Sequence, residues 1–450
     1  MKGWRIFAAG AALLSSPAVS AWGAPVLLIS IDGLRPADVL EAKEKGLKLT
    51  NLQRFVDEGS SAKGVKGVLP TITYPSHTTL ITGASPAKHG IYGNTTFDPM
   101  QINQGGWYWY GSDIKSETLW DAAARTGLTT GNVHWPVSVG IKSIKWNLPQ
   151  IWRTGHDDDA KLLTALATPG LVKDLENESG PYAAGIDESI EGDENRAQFA
   201  MRLIQAHRPE FLTVYLTALD HEQHIAGPDS PSAKAVLERL DVVVGKLIAT
   251  ARATHPEIVI AVASDHGFAA VDTEVNLFRT FIDAGLITLD AKGKVVSWRA
   301  MPWPSGGSAA IVLADPKDAS LTAKVAELLT SLKAKPELKI DRVLDASAIK
   351  SLGGNLEASF YIGFKPGAAA GNFKGASAPL LAPSYSKGTH GYLPDQPIMR
   401  STFMLMGPGI RRAHDLGVID MRSIAPTLAS IMGAPLPGAE LPSLDVLERP

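Results

Sequence analysis

No cysteine occurs among the 450 residues. That excludes disulfides, thiolate zinc sites and a cysteine nucleophile. A surplus of one charge is also missing. Net charge is −3, so no basic surface advertises a polymeric nucleic acid as ligand. Long apolar runs are absent too. The run from Ile6 to Leu14 is shorter than the roughly 20 residues a membrane span needs, and no other stretch comes closer. It follows Lys2 and Arg5 and precedes Val19-Ser20-Ala21, the pattern of an export signal. A leader over 1–21, cleaved after Ala21, and a secreted or periplasmic mature chain are therefore expected.

What is present suits a large α/β protein. Hydrophobic residues make up 45%, enough for a proper core. Three apolar, β-branched runs read as buried parallel strands: Pro25 to Ile31, Glu210 to Thr217 and Glu257 to Ala263. Helical patterns lie between them, including Ser116 to Thr126 (with Ser116 as N-cap), Asp193 to His207 and Ser232 to Thr254. Alternation of this kind predicts a mainly parallel sheet covered by helices on both faces. From about Lys292 the pattern changes to strands at Ser308 to Leu313 and Glu357 to Phe364 around a helix, then a Gly- and Ala-rich loop over Pro366 to Pro379. The expected organisation is a catalytic domain in two stretches, 25–290 and 385–450, with a small α+β cap inserted over 291–384.

The three strands end in chemistry. Asp32 follows the first, Asp220 and His224 follow the second, and Asp265 and His266 follow the third. Strand carboxyl ends are where open α/β sheets bind ligands. His390 stands in a Gly-Thr-His-Gly loop further on. Asp220 and His224 are four apart and so share one face of a helical turn. Carboxylate and imidazole donors suit zinc and also admit manganese or iron. Six such donors divide into two open sites of three. Two divalent ions against three carboxylates leave a positive centre for a phosphoryl group, and a pair about 4 Å apart can hold the attacking and leaving oxygens of an in-line displacement.

The central stretch runs from Leu69 to Gly83. Pro75 fits a first helical position and Gly83 a stop, which leaves Thr73 and Tyr74 just ahead of the helix. Free N–H groups and the positive dipole end there favour a phosphate. The Thr73 hydroxyl is either a nucleophile or simply an N-cap. His77 and His89 read as structural, and His221 and Glu222 as exposed.

These residues resemble the type I phosphodiesterase/nucleotide pyrophosphatase family of the alkaline phosphatase superfamily. The matching segments are Ile29-Ser-Ile-Asp-Gly-Leu-Arg35, Thr71-Ile-Thr-Tyr-Pro-Ser-His77, Asp220 with His224, Ser264-Asp-His-Gly267 and Gly388-Thr-His-Gly391. The resemblance implies an alkaline phosphatase-like fold and two zinc ions. One would be held by Asp32, Asp265 and His266 with Thr73, the other by Asp220, His224 and His390. It makes Thr73 the nucleophile, and Asn94 a donor to the phosphoryl oxygens beside the Tyr74 backbone N–H. The Tyr74 ring would stack a base, and Trp135 to Arg153, which has no clear period and reads as a substrate-facing loop, would supply a second contact, Trp146. In monoesterase relatives basic residues such as Lys142 or Lys145 here would grip a phosphate oxygen. The expected activity is that of a phosphodiesterase/nucleotide pyrophosphatase, hydrolysing small phosphate diesters, nucleotides among them, through a phosphothreonine. A phosphomonoesterase, a phosphonate hydrolase and a non-catalytic metal-binding scaffold are the alternatives.

Overall fold

Five strands run parallel through the centre of the molecule. The computed structural model describes residues 23–103, 106–153, 155–182 and 187–448, so the expected leader over 1–21 lies outside the described residues. Val26–Ile31 is paired in parallel with Phe211–Leu216 on one side and Val259–Ala263 on the other. Thr130–Val133 and then Trp146–Leu148 extend the parallel set past Phe211–Leu216. Beyond Val259–Ala263 the direction reverses at Phe403–Met406, and two short strands complete an eight-stranded sheet.

The continuous apolar runs have a direct consequence. Successive side chains of a strand point to opposite faces, so a wholly apolar strand needs cover on both. Leu27, Ile29 and Ile31 enter one core with the helices Ile190–His207 and Pro231–Thr254. Val26 and Leu28 enter the other with Leu119–Arg125 and Ile424–Met432. Fully burying each such side chain is worth about 1.5–3 kcal/mol, and both layers are therefore held firmly.

Ala269–Val275 continues from the central sheet into a second one. It pairs with Gly367–Ala370, Leu381–Pro383 and Gly388–Thr389. The first of these lies in the stretch expected to be loop, where small residues allow the close pairing. Ala300–Pro304, Ser308–Leu313, Ala358–Phe364 and Ile340–Asp345 form a four-stranded antiparallel sheet, backed by the helix Ala319–Lys333. No helix among the described residues is long and apolar enough to cross a membrane.

Three local expectations need correction. The central helix spans Thr73–Thr82, so Thr73 is its first residue rather than lying ahead of it, and Pro75 is third. The cap of Leu119–Arg125 is Thr118, not Ser116, because Asp121 closes a capping box with Thr118. The stretch from Trp135 to Arg153 is not loop throughout, since Trp146–Leu148 is the edge strand of the main sheet.

Candidate metal centre

Each donor reaches the same edge of the sheet by a short local device. Asp32 leaves the end of Val26–Ile31, and Gly33 at φ +68 turns the chain there. The Gly33 N–H donates to Asp265 Oδ1 at 3.2 Å, tying two strand ends together. Asp220 and His224 lie on the helix Ala218–Ala226, which begins just after Phe211–Leu216. The start of that helix is anchored by Asp193, whose carboxylate accepts from the N–H groups of Thr217 at 3.0 Å and Ala218 at 2.8 Å. Asp193 is itself paired with the wholly buried Arg196 at 2.6 Å. His390 follows the short strand Gly388–Thr389. Gly391 then turns at φ +83 so close to the turn after Ala300–Pro304 that a Cβ would stand 1.7 Å from the Ser305 carbonyl oxygen.

The donor atoms gather as two groups, Asp32 with Asp265 and His266, and Asp220 with His224 and His390. Within each, one ligand atom per residue lies within 4.8 Å of the others. His266 Nε2 is 3.1 Å from Asp265 Oδ2 and 3.4 Å from Asp32 Oδ1. Asp220 Oδ2 is 3.4 Å from His224 Nε2, and Asp220 Oδ1 is 3.6 Å from His390 Nε2. The two groups adjoin: the His266 and His390 rings stack at 3.6 Å.

The histidines are oriented as metal ligands require. Nδ1 of His224, His266 and His390 faces the carbonyl oxygens of Gly388, Gly267 and Thr71 at 2.8, 3.1 and 3.3 Å. A carbonyl only accepts, so Nδ1 carries the proton and Nε2 is bare. Asp32 is held by the Tyr215 hydroxyl. Asp32 Oδ1, Asp220 Oδ1, Asp265 Oδ2 and His266 Nε2 are buried with no hydrogen-bond partner. Orphaned buried charge of this kind is costly. Burial and neighbouring carboxylates push Asp32, Asp220 and Asp265 above the usual carboxylate range. Burial holds His266 and His390 below the usual imidazole range. Three acids that resist ionising together, beside bare imidazole nitrogens, form a donor set that divalent cations satisfy.

Thr73 sits where the two groups meet its helix. The carbonyl of Thr71 receives His390, and that of Thr73 receives His77 Nδ1 at 2.8 Å. His77 Nδ1 is 3.6 Å from Asp265 Oδ2, and its Nε2 accepts from the Ser30 hydroxyl at 2.8 Å. Burial lowers the His77 pKa to about 3, so it stays neutral. His89 is likewise buried, 3.1 Å from Thr79 Oγ1. Asn94 Oδ1 accepts from the Tyr74 N–H at 2.9 Å, which turns the amide nitrogen of Asn94 outward. His221 is not merely exposed; it pairs with Glu188 at 3.3 Å.

A cavity of about 460 Å³ opens beside the second donor group and is lined by Asn94, His224, His390, Trp107, Trp303 and Phe373 among others. The expected substrate contacts are placed differently. Trp146 and Lys145 lie at the amino-terminal end of the edge strand, opposite the end that carries the donors. There Trp146 stacks on His207 at 4.8 Å, and Lys145 sits 4.6 Å over the Trp146 ring. The Tyr74 ring is fully buried, covered by Trp107 at 5.5 Å. Trp107, Trp303, Phe97 and Phe373 escaped the sequence reading because they come from segments far apart in the chain.

Fold and donors together define a parallel α/β protein with a paired, carboxylate- and imidazole-rich metal centre. A profile of the type I phosphodiesterase / nucleotide pyrophosphatase family matches residues 26–392, and the chain belongs to that family. Human ectonucleotide pyrophosphatase/phosphodiesterase family member 1 is 28% identical over 257 residues, covering 54% of this chain and 23% of the relative. A venom phosphodiesterase of Naja atra is 27% identical over 255 residues, covering 55% of this chain and 26% of the relative. The match thus spans about a quarter of the length of these curated relatives. The solved structure of human ectonucleotide pyrophosphatase/phosphodiesterase 5 superposes with a TM-score of 0.66 at 20% identity, covering 94% of this chain and all of that one.

Proposed function

We propose that this chain is an exported phosphodiesterase that hydrolyses small phosphate diesters through a phosphothreonine on Thr73. The observation that carries the reading is the pair of three-donor groups with orphaned buried atoms beside the start of the Thr73–Thr82 helix. Asp32, Asp265 and His266 would hold one divalent ion and Asp220, His224 and His390 the other, with zinc the best fit to the donors. When bound, such a pair supplies charge neutralisation at the phosphoryl oxygens and lowers the pKa of an attacking hydroxyl or water.

The chain's own groups account for the rest. Thr73 stands at the first helical position, at a dipole end that favours phosphate. Its Oγ–P bond forms as the ester P–O bond breaks and the alcohol leaves. Water then cleaves the Oγ–P bond and releases the phosphate monoester. The Asn94 amide nitrogen donates to a phosphoryl oxygen, held in that orientation by the Tyr74 N–H. Tyr215 and the three backbone carbonyls keep the donors in place.

The family's name supports this reading, and a murine family member 5 has been solved with AMP in an inactive threonine-to-alanine form. A diester is favoured over a monoester because Lys145, one of the two lysines expected to grip a monoester oxygen, lies at the opposite end of the sheet. The test is a comparison of a mono-nitrophenyl phosphate, a bis-nitrophenyl phosphate and a thymidine nitrophenyl ester with one zinc-loaded preparation. Preference for the two diesters is expected. Preference for the monoester would overturn the diester assignment.

A further inference from the structure

We infer that the cavity beside Asp220, His224 and His390 is the leaving-group site, and that it takes an uncharged aromatic alcohol rather than a polyphosphate chain. The inference rests on the phosphodiesterase reading above and names the substrate class of that site.

Two observations meet here. The first is that the position expected to stack a base is filled by the chain itself. Tyr74 has no exposed surface; Trp107 covers it, and Trp107 in turn stacks on Trp152 at 4.4 Å with the rings 16° from parallel. A flat substrate group has no access to the Tyr74 face without breaking that stack.

The second is the character of the open cavity. Phe97, Trp107, Phe278, Trp303 and Phe373 line it, with neutral polar groups such as Asn372 between them. Among the described lining residues none is lysine or arginine, and Asp98 is the one carboxylate. A diphosphate leaving group needs donors or cations along its length. Here it would meet aromatic faces, neutral amides and hydroxyls and one carboxylate, with no lysine or arginine among the described lining residues to balance its charge. An aryl group would instead gain edge and face contacts of the kind Phe97 already makes with Trp303 at 5.3 Å. Position matters as well. His224 and His390 form the wall of the cavity, so whatever departs past the second donor group leaves into it.

Two substrates isolate the leaving group: thymidine 5′-monophosphate 4-nitrophenyl ester and thymidine 5′-triphosphate, which share the nucleotidyl part. The ratio of their kcat/KM values is compared between wild type, Trp303→Ala and Asn372→Lys. Trp303→Ala removes an aromatic wall, and its ratio is expected to fall about tenfold, within the usual range for an apolar pocket. Asn372 is exposed, so Asn372→Lys adds a cation without disturbing the core, and its ratio should also fall. Intrinsic reactivity cancels in these comparisons. A wild-type preference for the triphosphate, or ratios unchanged in both folded variants, would overturn the inference. Calorimetric binding of the two compounds to zinc-loaded Thr73→Ala separates this from the parent reading. Tighter binding of the aryl ester with no turnover by wild type would remove the diesterase and keep the aromatic site. Turnover with equal or tighter binding of the triphosphate would do the reverse.

Discussion

The two donor groups have like chemistry in unlike surroundings. Asp32, Asp265 and His266 are sealed, none more than 2% exposed. They are braced by Tyr215, the Gly33 N–H and the His77–Ser30 pair. In the other group, His224 and His390 are braced by backbone carbonyls and line the cavity, with the His224 side chain 30% exposed. The sealed group is built to hold one geometry against the Thr73–Thr82 helix. The open one is built to meet something that arrives and leaves.

The strongest way to break that contrast is Thr73→Ala. Hydrolysis of a bis-nitrophenyl phosphate should fall to the buffer level while both metal ions remain, as read by elemental analysis. Persisting turnover would move the nucleophile elsewhere. Next is Asn94→Ala, expected to lower kcat by about 10²–10³ as loss of one oxyanion donor does. A change in KM alone would make Asn94 a binding residue. Tyr215→Phe sharpens the contrast itself. It should weaken metal binding in the sealed group by about 10–100-fold and leave the open group nearly untouched, measured by stepwise chelator titration. Equal weakening of both would show that the groups are not independent.

The smallest effect concerns pH. In the metal-free protein the folded chain holds carboxyl protons that the unfolded chain has already lost, because Asp32, Asp220 and Asp265 are pushed upward. Stability then falls as pH rises. His77 and His89, both lowered to about 3, act in the opposite sense, but only below the ordinary imidazole range near 6.5. Above it the carboxyls are joined only by His221, raised by its hydrogen bond to Glu188, which acts in the same sense as they do. The melting temperature of metal-free protein should therefore drop between about pH 6.5 and 8, and saturating zinc should abolish the drop. A flat metal-free profile would mean the acids ionise freely.

Much was legible in residue order. The strands flanking Asp32, Asp220 and Asp265 are long, apolar and β-branched, so their burial, and hence their ends, follow from local composition. The spacing of Asp220 and His224 foretold one helical face, and the structure puts them on Ala218–Ala226. Short or edge elements were not legible. Trp146–Leu148 has three residues and too little pattern to distinguish strand from loop, so Trp146 was read toward the substrate when it packs on His207. Nor could spacing show that Asp193, 27 positions before Asp220 in the chain, would anchor the next helix.

By itself the sequence determined the parallel core, the kinds of donor available and the absence of thiol chemistry, because these depend on composition and on neighbours a few residues apart. Only the tertiary structure decided that the six donors gather as two adjoining groups at one sheet edge, that Tyr74 is shut away behind Trp107, and that Phe97, Trp303 and Phe373 wall one cavity. Those outcomes depend on contacts between segments up to about 300 residues apart, which packing selects and local pattern does not encode.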